Sequence, residues 1–107
     1  MKNMNKLVLL AIAGMSLLAA NTAQAGDPAA GAQKAETCMG CHGVPHYVNT
    51  YPTYHVPKLG GQHEAYIVAA LKAYKEKQRS HATMHANAAS LSDEDIADIA
   101  AYLSSVK

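Results

Sequence analysis

The chain has 107 residues, a formal net charge of +1, six Tyr and neither Trp nor Phe. A chain of this length makes one domain at most. Its near-neutral balance excludes the concentrated positive surface that nucleic-acid binding needs.

The N-terminal stretch reads as an export signal. Lys2 and Lys6 precede an apolar run over 7–20, which falls short of the roughly 20 residues of a membrane-spanning helix. Ala23-Gln24-Ala25 then supplies a small-x-small cleavage pattern. These features predict a cleaved secretory signal peptide over 1–25 and a mature domain over 26–107. That domain is expected in the periplasm, with no membrane span after cleavage. Without Lys2 and Lys6 it holds seven basic residues against eight acidic ones. Much of its apolar content is Ala, so its core is thin, and domains of this size often need a cofactor or crosslink.

The first helix is predicted over 28–37, with Asp27 as N-cap and Pro28 in the first turn, where its missing N–H costs nothing. Cys38-Met39-Gly40-Cys41-His42 follows, matching the C-x-x-C-H pattern of covalent c-type haem attachment. Thiols three residues apart, just after a helix, reach two vinyl groups of one porphyrin, and the next imidazole meets the iron. A thioredoxin-like pair needs a βαβ setting that is missing here, and a zinc site needs four ligands. A plain disulfide would leave His42 without a purpose.

A loop over 43–61 is rich in Pro, Gly, Tyr and His. The second helix is predicted over 63–77, where Ile67, Leu71 and Tyr74 form an apolar stripe. A second loop spans 78–90. Both loops are long for so small a domain, as expected if they wrap a prosthetic group. With the signal removed, only Met39 and Met84 remain, and Met39 is trapped inside the attachment motif. Met84 is therefore the candidate distal iron ligand, with His81 and His85 as nearby alternatives.

The third helix is predicted from Ser92 to the end of the chain. Ser92 and Asp95 form a capping box, and Leu91 and Ile96 a hydrophobic staple. Asp93, Glu94 and Asp95 face the positive helix end. Ile96, Ile99, Leu103 and Val106 form the buried stripe. No strand alternation stands out anywhere in the mature chain.

Gly26-Asp27, Gly31, CMGCHG at 38–43, PKLGGQ at 57–62, Tyr66, Leu71, Arg79, Met84 and LSDEDIADIAAYL at 91–103 together resemble the class I c-type cytochromes. The likeness is to the small bacterial monohaem type and to one half of the two-haem periplasmic cytochromes. It implies an all-α small cytochrome c fold, three main helices with long loops wrapped around one covalently bound haem c. The first and last helices would cross beside the haem edge, with Gly31 permitting close approach and Tyr102 packed nearby. It also implies that the Pro57 carbonyl accepts a hydrogen bond from His42, the proximal iron ligand.

The implied function is that of a non-enzymatic single-electron carrier meeting redox partner proteins transiently. Alternatives are a permanent haem subunit of a periplasmic oxidoreductase and a haem-based ligand sensor with an open distal site. The loop between His42 and Pro57 is longer and more aromatic than the family pattern leads one to expect. The cluster Lys72, Lys75, Lys77 and Arg79 suits either a helix C-terminus or an acidic partner.

Overall fold

A computed structural model of the chain describes residues 24–51 and 53–107. The predicted leader over 1–25 lies outside the described residues except for Gln24 and Ala25. Helix α1 (Pro28–Lys34) opens as expected: the Asp27 carboxylate accepts the Ala29 amide at 2.8 Å, and Pro28 stands in the first turn. It stops at Ala35, and a second helix, α2 (Glu36–His42), begins at once. The single helix predicted over 28–37 is thus two. At Ala35 (φ −88°, ψ 0°) the backbone leaves helical geometry, yet its amide still bonds the Gly31 carbonyl, and its own carbonyl accepts from Cys38 and Met39. Gly40 and two cysteines are weak helix formers, which hid α2 from propensity.

An antiparallel hairpin follows, β1 (Val48–Thr50) with β2 (Thr53–His55), pairing Val48 with His55, Asn49 with Tyr54 and Thr50 with Thr53. Three-residue strands are too short for the alternation test, although Val48, Thr50 and Thr53 are β-branched residues that suit a pleated ribbon. Helix α3 (Glu64–Lys75) buries Ile67 and Leu71, as its stripe predicts. It closes with Lys77 in the left-handed region (φ 59°), where Gln78 and Arg79 both donate their amides to the Ala73 carbonyl. The second loop contains an unforeseen short helix, α4 (Ala82–Ala88).

Helix α5 (Asp93–Ser105) has the predicted capping box: the Ser92 hydroxyl accepts the Asp95 amide at 3.0 Å and the Asp95 carboxylate accepts the Ser92 amide at 2.9 Å. Ile96, Ile99 and Leu103 are fully buried, while Val106 falls just past the helix. The described fold is therefore mainly helical, with five helices and one small hairpin.

Helices α1 and α5 approach at the limit of backbone contact. A Cβ at Gly31 would lie 1.9 Å from the Asp98 carbonyl oxygen and 2.9 Å from the Tyr102 Cβ. A Cβ at Gly26 would likewise lie 2.1 Å from the Ala97 carbonyl oxygen. Asp98, buried on α5, spans the crossing: one carboxylate oxygen accepts the Asp27 amide at 2.7 Å and the other accepts from the Lys34 ammonium at 2.6 Å. Lys34 also pairs with Asp95 at 2.8 Å. The core beyond the crossing is small, built from Ala35, Ile67, Leu71, Ala88, Ile96, Ile99, Ala100 and Leu103.

Two predictions follow from the crossing. Gly31→Ala forces α1 away from α5 and should cost about 3 kcal/mol, the upper range for overpacking. A guanidinium titration of the holoprotein reads this, and an unchanged midpoint would show that the helices slide freely. The second concerns acid. The Lys34 hydrogen bond holds the Asp95 carboxyl down from 3.8 to about 2 and lowers Asp98 in the same way. A carboxylate depressed on folding adds stability that is present above the unfolded value and drains as pH falls through the folded one. Stability should therefore fall between pH 3.8 and about 2, and Asp95→Asn should make that fall shallower. An identical slope in the variant would remove Asp95 from the account.

Candidate haem-binding site

The two thiols lie on α2 itself, one helical turn apart, so both emerge on one face. The sequence reading placed them just after a helix; the helix carries them instead. Cys38 is half-buried and Cys41 exposed, and both thiols are free. Burial pushes the Cys38 thiol up from its ordinary value. His42 is the last residue of α2 and is only 9 % exposed.

The His42 ring is fixed from the other side of the 43–61 loop. Its Nδ1 lies 2.6 Å from the Pro57 carbonyl oxygen. A carbonyl only accepts, so Nδ1 carries the proton and Nε2 keeps the lone pair. This is the contact that the resemblance implied for Pro57. Such an outer contact fixes both tautomer and ring orientation, which a metal-binding imidazole requires.

Cys38, Cys41 and His42 line one side of a cavity of about 420 Å³. Tyr54 and Pro57 border it from the loop, Tyr74 and Arg79 from α3 and just beyond, and His81 and Met84 from the α4 region. A smaller cavity of about 80 Å³ shares Cys38, His42, Pro57 and Met84 and runs inward to Ile67, Leu71, Ile99 and Leu103. The larger volume falls in the range of small-molecule sites, roughly 300–1,000 Å³.

The three candidates for the distal position differ in their surroundings. Met84 is half-buried and borders both cavities. The His85 Nδ1 lies 2.8 Å from the Tyr74 carbonyl and therefore donates to it, and His85 borders neither cavity. His81 borders the larger cavity, but its Nδ1 accepts the Met84 amide at 3.4 Å as the N-cap of α4. His46, His55 and His63 are exposed, although His55 borders the larger cavity.

The donor set fits a covalently held haem: two thiols on one helical face, a tautomer-locked imidazole and a thioether, all bordering one largely apolar cavity. It does not fit zinc, because among the described residues no three His, Cys, Asp or Glu side chains gather as a metal-holding group. Sequence reasoning missed Tyr54 and the capping role of His81, because neither residue belongs to a motif. Asp98 was missed as well. Its signal was present in the sequence, a carboxylate set between Ile96 and Ile99 inside the apolar stripe of α5.

The basic cluster is largely absorbed by the fold. Lys75 donates to the Leu91 carbonyl at the end of α3, and Lys72 lies 3.8 Å from Asp93. Arg79 stacks over the Tyr74 ring at 4.9 Å and donates to the Tyr66 hydroxyl at 3.3 Å. Among the described residues no helix is long and apolar enough to cross a membrane.

The family model described as "Cytochrome c" matches residues 28–107. Cytochrome c-554(548) of Halomonas halodenitrificans is 49 % identical over 84 residues, covering 76 % of this chain and 98 % of that protein. Cytochrome c4 of Pseudomonas aeruginosa is 39 % identical over 104 residues, covering 97 % of this chain but 50 % of its own length. The chain thus spans nearly all of one relative and about half of the other. The crystal structure of reduced recombinant cytochrome c4 from Pseudomonas stutzeri superposes with a TM-score of 0.57 at 28 % identity, covering 78 % of this chain and 51 % of that one.

Proposed function

The chain belongs to the cytochrome c family, of class I type and resembling one half of a two-haem cytochrome c4, and on that premise we propose that it is a periplasmic single-electron carrier. In this reading Cys38 and Cys41 would hold one haem c through thioether bonds, and His42 and Met84 would bind its iron. The observation that carries the reading is the convergence of these four side chains on one apolar cavity, with His42 locked by the Pro57 carbonyl.

When bound, the haem supplies an iron that gains and loses one electron. The chain's own residues do the rest. Cys38 and Cys41 would each hold the group through a thioether bond, so that it could not dissociate. The bond from Nδ1 to Pro57 increases the basicity of the imidazole and holds its angle. Met84, a soft thioether, favours the reduced state relative to a second imidazole and closes the site to substrates. Ile67, Leu71, Ile99 and Leu103 keep water from the inner side. No bond need break in turnover, which suits transfer to transient partners across a small interface.

The mass of the mature protein from its native host tests attachment and export together: one haem added and residues 1–25 removed. A haem-free mass, or retention of the leader, counts against the reading. In the ferric spectrum a low-spin form with the weak far-red sulfur-to-iron band is expected. Met84→Ala should abolish that band and lower the reduction potential, while His85→Ala leaves both intact. A high-spin wild-type protein that binds carbon monoxide would point instead to a sensor, and stable copurification with a larger catalytic chain to an oxidoreductase subunit. Cys38→Ala/Cys41→Ala protein is expected not to fold, because the core lacks the bulk to close alone; a native-like circular dichroism melt of the haem-free variant would refute this.

A further inference from the structure

The segment between His42 and Pro57 is rich in aromatic side chains. In the hairpin, the alternation that exposes Thr53 and His55 turns Tyr54 inward and leaves it half-buried. There its ring stands edge-on to His81, with centroids 4.7 Å apart and planes at 89°. Tyr74 of α3 meets the same imidazole from a second direction, at 6.4 Å and 79°. His81 is thus held between the hairpin and α3.

That imidazole is also the N-cap of α4, accepting the amide of Met84. Seven residues are too few for a helix to persist unaided, so α4 depends on its cap and on its tertiary contacts. Its other ties are the packing of Met84 against the core, the His85 bond to the Tyr74 carbonyl and the burial of Ala88. The turn that presents the thioether is therefore fixed from its N-terminal side by His81, and His81 by Tyr54.

We propose that the Val48–His55 hairpin is a latch on the distal side of the site, in which Tyr54 and His81 are positioning residues that keep Met84 in place. The latch rests on the reading of Met84 as iron ligand. It deepens that reading by assigning control of Met84 release, and so of access by outside ligands, to a segment that meets the N-cap of the ligand's helix through the Tyr54–His81 ring pair.

The test uses ferric holoprotein and added imidazole, whose binding requires the thioether to leave. Tyr54→Ala and His81→Ala should each raise the imidazole association rate about fivefold, the scale on which losing a cap or an aromatic pair acts. Tyr54→Phe keeps the ring edge and should bind imidazole at the wild-type rate, whereas His81→Asn keeps a capping acceptor but loses the ring pair and should match Tyr54→Ala. If Tyr54→Ala does not fold, Tyr54→Leu removes the ring while keeping apolar bulk and should show the same acceleration. Wild-type rates in both alanine variants would overturn the latch while leaving Met84 as ligand. Loss of the low-spin spectrum in His81→Ala would overturn it too, by making His81 the ligand. Absence of the far-red band from the wild-type protein removes the Met84 reading itself, and the latch with it.

Discussion

Everything in the fold is arranged around one close approach, the crossing of α1 over α5. Gly31 lets the backbones touch, and the buried Asp98 carboxylate then bonds the amide before α1 and the ammonium at its far end. A buried carboxylate is costly unless its oxygens are satisfied, and here both oxygens have partners. The arrangement fixes α1 at two points rather than one, which sets its direction as well as its position. Because α2 begins where α1 ends, at Ala35, the direction of α1 also sets where Cys38, Cys41 and His42 point. The apolar face of α5 forms the inner wall of the same site, so one crossing orients both the attachment helix and the surface it faces.

The second organising constraint is scarcity. The described core contains no side chain larger than Ile or Leu among its fully buried members, and several of them are Ala. Four partly buried residues that pack against this core, Cys38, Leu59, Tyr74 and Met84, also line the cavities. Core and site are therefore a single surface seen from two sides. A substitution that enlarges the core should disturb the site, and the bound group in turn completes the packing. This is the expected behaviour of a small domain that buries too little on its own.

The parts legible in the sequence share a property: each is set by neighbours within a few residues. The α5 capping box, the α3 stripe and the spacing of Cys38, Cys41 and His42 are of this kind. What escaped notice is set at long range or by very short segments. Helix α2 runs through Gly40 and two cysteines and is held as much by packing as by propensity. The hairpin has three residues per strand, and α4 is under two turns long, with only Ala82 and Thr83 ahead of Met84. Asp98 was visible only as an oddity within an apolar stripe, because its partners are 71 and 64 positions away. Pro57 was reachable only through family resemblance, since nothing in its local sequence distinguishes a structural carbonyl from an ordinary loop proline.

The span of the Asp98 contacts has a kinetic side. The bond from His42 to Pro57 closes a loop of 15 residues, whereas that from Asp27 to Asp98 closes one of 71. For flexible chains the closure entropy scales with the logarithm of length, so the longer closure is costlier by only ~1.4 kcal/mol. The clasp between the two ends is thus affordable at equilibrium, yet nearly the whole domain lies inside the loop it closes. Contacts of such long range slow folding relative to helical proteins built from neighbouring pairs. The attachment helix, oriented by α1, cannot acquire its final direction before the last helix of the chain has arrived. A thiol on that helix therefore spends the early part of folding accessible, while the surface that will shield it has yet to form.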